Sequence, residues 1–361
     1  TLTRPRLRRA GLHKLGAICH EARFPIGRSR PAFDPPAATY PTCPDPEDMA
    51  RQRKRKGDPV HGWLNLAKPV DMTSTQAVGA IKRLFNAQKV GHGGTLDPLA
   101  DGVLPIALGE ATKTVQWAMD AEKTYVFDIA WGVSTDTQDL EGKVTARSDA
   151  RPSPEAIDKA LHAFIGAIDQ VPPRYSAIKV DGERAYDLAR EGEAFELESR
   201  LVTVHSAEVL ETPSPDTTRF RVRSGKGFYV RALARDLAFD LGCEGHISFL
   251  RRTQVGVLSY EESIPLAKLE EMRDKPEVFA ALQPLETVLD DIPALALGEE
   301  EAAKLSQGRT VVLLPHIVEQ WRAETSSDPD DRTALAMCGD RAVALGDVRA
   351  GRFQPVRVFN L

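Results

Sequence analysis

The run Gly91-His92-Gly93-Gly94-Thr95-Leu96-Asp97-Pro98-Leu99-Ala100 sets one carboxylate in a glycine-rich loop with a proline directly after it. Three glycines open backbone conformations closed to other residues. Pro98 disfavours helix at Asp97 and has no N–H, while Leu96, Leu99 and Leu104 supply apolar anchors on both flanks. Such a context presents a carboxylate instead of burying it, and a presented, ionised carboxylate suits covalent attack. Asp97 is therefore the candidate for chemistry. A tight turn carrying a solvated aspartate is the plain alternative.

Apolar spacing outlines the elements that must hold this loop. Residues 61–67 alternate as a strand ending at Lys68-Pro69. Thr73 or Ser74 caps a helix whose Ala77, Val78, Ile81, Leu84 and Phe85 share one face. After the loop, a helix is expected over 110–119 and a strand over 123–133, with Tyr125, Phe127, Ile129, Trp131 and Val133 in one apolar row. Ser153-Pro154 starts a helix with Ile157, Leu161, Phe164 and Ile165 on its buried stripe. Strands are expected over 203–210, 217–223 and 246–258, and a helix over 229–241 that Gly242 stops. Strands and helices alternate without a strict βαβ rhythm. The fold class is thus α+β, a mixed and mainly antiparallel sheet with helices on it.

Composition bounds the rest. Hydrophobic residues make up 42% and charged residues 27% of the 361, ordinary for a soluble globular protein of two or three domains. No uninterrupted apolar run approaches the roughly 20 residues that cross a bilayer, so no membrane partner is expected. Cys19, Cys43, Cys243 and Cys338 lie far apart without CxxC or Cys/His pairing, which argues against a disulfide framework or a zinc site and fits a reducing cytosol. Residues 1–58 hold 13 basic and 6 acidic side chains within the overall charge of −5, so the remainder is acidic and any phosphate contact must come from a local basic face. The first 48 residues carry eight prolines and no sustained period. A disordered extension over 1–57 is expected, with a native start at Met49; a transit peptide is the alternative.

The segment GHGGTLDPLADGVLPIALGEATK, Gly91 to Lys113, closely resembles the signature of the bacterial tRNA pseudouridine(55) synthases, the TruB family. Further segments carry the same resemblance: Lys68-Pro69-Val70-Asp71-Met72-Thr73-Ser74, Lys123-Thr124-Tyr125, Ser134-Thr135-Asp136-Thr137, the thumb-like run from Val171 to Lys179 and on to Gly192, Ser224 to Arg231, and Phe249-Leu250-Arg251-Arg252. Each has a mundane reading as a turn, a core tyrosine or a helix start.

The resemblance implies the pseudouridine synthase fold, no cofactor and no metal, and a uridine flipped out of a folded RNA loop. It implies that Asp97 is the nucleophile and that Tyr125 stacks on the base. Arg231 is the expected cation beside Asp97, favouring the carboxylate against burial, with Asp136 expected to hold Arg231. Tyr229 and Leu250 should wall the pocket, and His92 should contact the RNA around the flipped nucleotides. Lys68, Asp136 and Lys113 complete the expected substrate-binding set. Attack at C1′, attack at C6 and a glycal route all stay open.

Residues 58–290 are expected to be the catalytic domain, with an RNA-gripping thumb at about 171–200. Residues 291–361 read as a small all-β module resembling the family's PUA-like domain, which contacts the acceptor stem; the stretch 323–332 reads as an acidic loop. The expected protein is a cytoplasmic monomer that modifies the T-arm loop of tRNA without a guide RNA. A tRNA-folding chaperone without required chemistry is the second hypothesis, and a metal-dependent hydrolase using His92 and Asp97 the third.

Overall fold

A continuous apolar strip, Trp63, Leu64 and Leu66, makes Gly62–Lys68 (β1) a strand buried on both faces. The computed structural model describes residues 57–361 apart from 177, 181, 193–194, 274 and 326–331. The expected disordered extension and its Met49 start lie, except for Gly57, outside the described residues. Ser74–Leu84 (α1) begins on Thr73, whose hydroxyl accepts from the Gln76 amide while the Gln76 side chain accepts from the Thr73 amide, a reciprocal cap. Val90–His92 (β2) then runs into the Asp97 loop, and Asp101–Leu108 (β3) leaves it, pairing with β2 and with the whole of β1.

The helix expected over 110–119 is a 3-10 turn, Gly109–Lys113, followed by Val115–Asp120 (α2). The next strand, Lys123–Trp131 (β4), stops short of Val133 because Gly132 takes φ +94° and a Cβ there would collide with the Arg151 guanidinium. Val133 instead starts a separate hairpin of Val133–Thr135 (β5) and Val144–Arg147 (β6). Pro154–Leu161 (α3) follows its Ser153 cap as expected, and Ile157 and Leu161 are buried. Ile165 is not: the helix has already given way to a 3-10 turn and extended chain, so helical spacing no longer carries it inward.

Gly166–Gln170 (β7) leads to the hairpin Lys179–Val180 (β8) and Glu183–Arg184 (β9) and to Ala185–Glu191 (α4). Then come Arg200–Ser214 (β10), Thr217–Ser224 (β11) and Val230–Asp240 (α5). The strand expected over 246–258 is a hairpin of Gly245–Val255 (β12) and Leu258–Ser259 (β13), turned at Gly256 with φ +52°. Ile264–Pro265 (β14) completes a ten-stranded sheet ordered β14-β1-β3-β12-β4-β11-β10-β7, with β13 beside β12 and β2 beside β3. Among the described pairs in this sheet only β1–β14 and β3–β12 are parallel, so the sheet is mixed and mainly antiparallel. Helices α1, α3 and α5 bury Ile81, Leu161, Leu233 and Leu237 against Leu104, Phe127, Ile129 and Phe220 in one core.

Residues 294–358 form a second sheet of five strands. The expectation that this module is all-β is corrected by two helices, Glu299–Ser306 and Pro315–Glu324, which bring Leu305, Val318 and Trp321 into its core. Three glutamates in the first turn of one suit a helix N-terminus, and proline opens the other. The expected acidic loop over 323–332 falls largely outside the described residues. Leu335, Leu345 and Phe359 pack on Trp63, Ala107 and Ala118 and join the module to the outer side of β1 and β3.

Candidate active site

The Asp97 loop is held from several directions by backbone contacts. Ser74 Oγ accepts from the Leu96 amide at 2.9 Å, and the Asp71 amide donates to the Pro98 carbonyl at 2.9 Å. Arg252 donates from Nε to Val103 O at 2.8 Å and from Nη2 to Gly94 O at 3.1 Å. Lys68 donates to the carbonyls of Pro69 and Met72 at 2.7 Å and of Pro98 at 3.3 Å. Buried Leu96 and Ala100 fix the flanks. What these contacts leave untouched is the Asp97 carboxylate.

That carboxylate, 33% exposed, accepts from Nε of Arg231, 5% exposed, at 2.8 Å. The two residues are far apart in sequence and meet because Arg231 stands in the first turn of α5. Tyr229 is the cap residue of that helix, and its backbone is clamped by Gln170, which accepts from its amide at 2.8 Å and donates to its carbonyl at 3.1 Å. The other guanidinium nitrogens reach Thr137 O at 3.0 Å and Tyr175 O at 2.9 Å, and Nη1 lies 3.7 Å from Asp139 Oδ2. The guanidinium is planar and permanently charged, and its carbonyl bonds fix the cation that one Asp97 oxygen meets.

Asp97 and Arg231 stand in the wall shared by two cavities. One, of about 260 Å³, is lined by Tyr125, Phe228, Tyr229, Leu250, Met119 and Lys123. Its floor follows from strand register: Tyr125 lies opposite Arg252 and Val222, and Phe127 opposite Leu250 and Phe220, so these side chains share one face of the sheet. The Tyr125 ring sits 6.5 Å from that of Phe228, and its hydroxyl meets Arg252. The other cavity, of about 400 Å³, is lined by His92, Thr73, Thr75, Asp139, Glu141, Tyr175 and Tyr186. A concave, partly apolar chamber with a few convergent polar groups is what a planar ligand needs.

The structure thus brings Asp97, Arg231, Tyr125, Tyr229 and Leu250 to one chamber and puts His92 in the neighbouring one. It separates three others. Asp136 does not hold Arg231: it is exposed, and Oδ1 accepts from the Lys143 amide at 2.8 Å inside its own turn. The carboxylate on the inner side is Asp139, 3% exposed. Lys68 is 1% exposed and occupied by carbonyls, so it props the loop instead of facing a substrate. Lys113 is paired with Glu110 at 2.6 Å and donates to Val358 O at 2.7 Å, which ties the C-terminal module to the main sheet. Sequence reasoning passed over Asp139, Arg252 and Lys123. The last two had a signal, the period-two spacing that puts them on the faces of Leu250 and Tyr125.

Burial sets the charges. It pushes Lys68 down to about 8 against the pull of Asp101 and Asp97, and Lys123 down to about 8 with Arg252 adding to the effect. Burial raises Asp139 and Glu141 above the usual carboxylate range, although Thr137 and Arg231 draw Asp139 back. His92 is lowered by burial and by Arg252, and the Tyr229 hydroxyl is raised by burial.

Comparison with known proteins identifies relatives of the chain. Residues 82–230 match the TruB family pseudouridylate synthase N-terminal domain, and residues 231–290 the tRNA pseudouridylate synthase B C-terminal domain. The tRNA pseudouridine synthase B of Caulobacter vibrioides is 56% identical over 309 residues, covering 86% of this chain and 99% of that protein. That of Bradyrhizobium diazoefficiens is 50% identical over 320 residues, 87% of this chain and 90% of that protein. A chain of a Cbf5-Nop10-Gar1 complex superposes with a TM-score of 0.61 at 26% identity over 83% of this chain and 84% of its own. A chain of an H/ACA RNP bound to a substrate RNA containing 2'-deoxyuridine shares the fold, with a TM-score of 0.61 at 24% identity over 85% and 91%. Among the described residues no helix is long and apolar enough to cross a membrane. The chain belongs to the TruB family of pseudouridylate synthases.

Proposed function

We propose that the protein isomerises uridine 55 in the T-arm loop of tRNA to pseudouridine, with Asp97 as the nucleophile. The observation that carries this reading is the Asp97 carboxylate, held by buried Arg231 at 2.8 Å, at the wall of a chamber floored by Tyr125. A flipped uridine stacks on Tyr125 between Tyr229 and Leu250, which offsets part of the few kcal/mol lost on unstacking from the loop. Arg231 favours the ionised carboxylate and limits its swing. The product is an isomer of the substrate, so neither a reductant nor a second substrate enters.

His92 meets nucleotides next to the flipped base. Residues 58–290 are the catalytic unit, the segment at about 171–200 grips the loop, and residues 291–361 bind the acceptor stem. The protein acts in the cytoplasm as a monomer without a guide RNA. Asp97→Asn tests the central claim with an unmodified elongator tRNA and carbodiimide mapping of pseudouridine. Formation should fall by on the order of 10⁴-fold or more while tRNA binding persists; retained activity refutes Asp97 as nucleophile.

A further inference from the structure

On the sheet face away from the chamber, guanidinium groups and aromatic rings alternate across the strands that carry the chamber residues. Arg251 on β12 donates from Nε and Nη2 to the two carboxylate oxygens of Asp101 on β3, at 2.9 and 2.6 Å. Its guanidinium lies 4.4 Å from the Tyr260 ring centre and 5.5 Å from that of Phe249. Arg219 on β11 lies 5.6 Å from the Phe249 ring centre and grips Asp128 on β4 with bonds of 2.7 and 2.9 Å. Arg251 and Asp101 are 33% and 17% exposed, and a two-bond pair between stacked rings is geometrically defined in a way that an exposed ion pair is not.

This pair sits where the ladder between its two strands is short. Strands β3 and β12 meet in parallel over two pairs only, Arg251 with Asp101 and Arg252 with Gly102. No tight turn joins them to set the alignment. The next residue, Arg252, points to the chamber side and grips Val103 O, Gly94 O and Thr95 O, from which the Asp97 loop hangs. The fit is close: at Gly102, φ +107°, a Cβ would collide with the Arg252 carbonyl oxygen.

We propose that Arg251 is a positioning residue for the reaction: its clamp on Asp101 sets where β12 meets β3, and so holds Arg252 and the Asp97 loop in working position. The inference rests on the proposed reaction, and two readouts keep the two apart. Single-turnover pseudouridine formation and Kd for an unmodified tRNA transcript are measured for wild type, Arg251→Met, Arg251→Lys and Arg221→Met, below each variant's melting onset. Amide hydrogen exchange across residues 94–97 is measured on the same samples.

Arg221 lies on the same outer face, half exposed, with one bond of 3.0 Å to Glu208, and serves as the control. Arg251→Met is expected to slow the chemical step ~10-fold, since small misplacements of reacting groups are costly, with Kd within about twofold and faster exchange in the loop. Arg251→Lys keeps the charge without the fork and should recover part of the rate; it carries the test if the Met variant does not fold. Arg221→Met should change neither rate nor loop exchange. Equal effects of the two Met variants, or unchanged loop exchange in Arg251→Met, overturn the proposal. An inactive wild type overturns the reaction and the catalytic part of the inference with it, while exchange still decides whether Arg251 holds the loop.

Discussion

Two buried guanidinium groups flank the Asp97 loop, and they are put to opposite uses. Arg231 directs one nitrogen to a half-open carboxylate and two to backbone carbonyls. Arg252, 2% exposed, grips the carbonyls of Val103, Gly94 and Thr95 and meets the Tyr125 hydroxyl. A buried cation that meets a carboxylate orients charge for chemistry. One that is spent mainly on carbonyl dipoles organises backbone, and burial lowers its proton affinity against the pull of Tyr125 and Asp97. The same residue type therefore holds a carboxylate on one side of the loop and backbone on the other.

The contrast can be broken by substitution. Arg231→Met should reduce single-turnover pseudouridine formation by at least ~10²-fold, because the carboxylate loses the cation that it meets, while a tRNA transcript still binds. Arg252→Met should act first on stability, by ~3 kcal/mol in urea unfolding for a lost buried hydrogen-bond network, with the rate falling as the loop loosens. If the two variants show the same split between rate and stability, the division of labour is wrong.

Carboxylates beside Arg231 sharpen the comparison at smaller scale. Asp139→Ala should cost about 2 kcal/mol, since Asp139 is buried and accepts from the Thr137 hydroxyl and the Glu141 amide. Asp136→Ala should cost about 1 kcal/mol or less, the worth of one exposed turn hydrogen bond, and leave the rate within about twofold. Equal losses would return Asp136 to the site.

A pH-dependent effect concerns Lys68. Its ammonium is held near 8 in the folded chain against an ordinary value of 10.5, so between those pH values the unfolded chain binds the extra proton and this group adds stability as pH rises. Lys68→Met removes that contribution. The stability gap between wild type and variant should therefore widen from pH 7.5 to pH 9.5, and a constant gap would mean that Lys68 titrates normally.

The sheet, the Thr73 cap and the Asp97 loop were legible because each depends on local physics: alternation, a side-chain cap, glycine with proline. The partnership of Asp97 with Arg231 was not local, since no spacing brings residues on a loop and a distant helix together. It was reachable only through the family resemblance. Asp136 and Asp139 show a different limit. Two carboxylates in one turn obey the same turn chemistry, and which of them points inward depends on the hairpin's packing on β12. Lys68 misled for a third reason: lysine is rarely buried, and only the geometry shows three carbonyls waiting for it. The C-terminal module read as all-β, yet tertiary packing of Leu305 and Trp321 makes two of its segments helical.

The bonds from Lys113 to Val358 O and from the Asn360 amide to Glu110, at 2.7 and 2.9 Å, have a consequence for synthesis on the ribosome. Chains emerge from the amino end and fold as they emerge, but here the outer side of β1 and β3, with Trp63 and Ala107 on it, is covered by residues as late as Phe359. Until those residues clear the exit tunnel, the half-built enzyme carries an open apolar seam beneath its own active-site sheet.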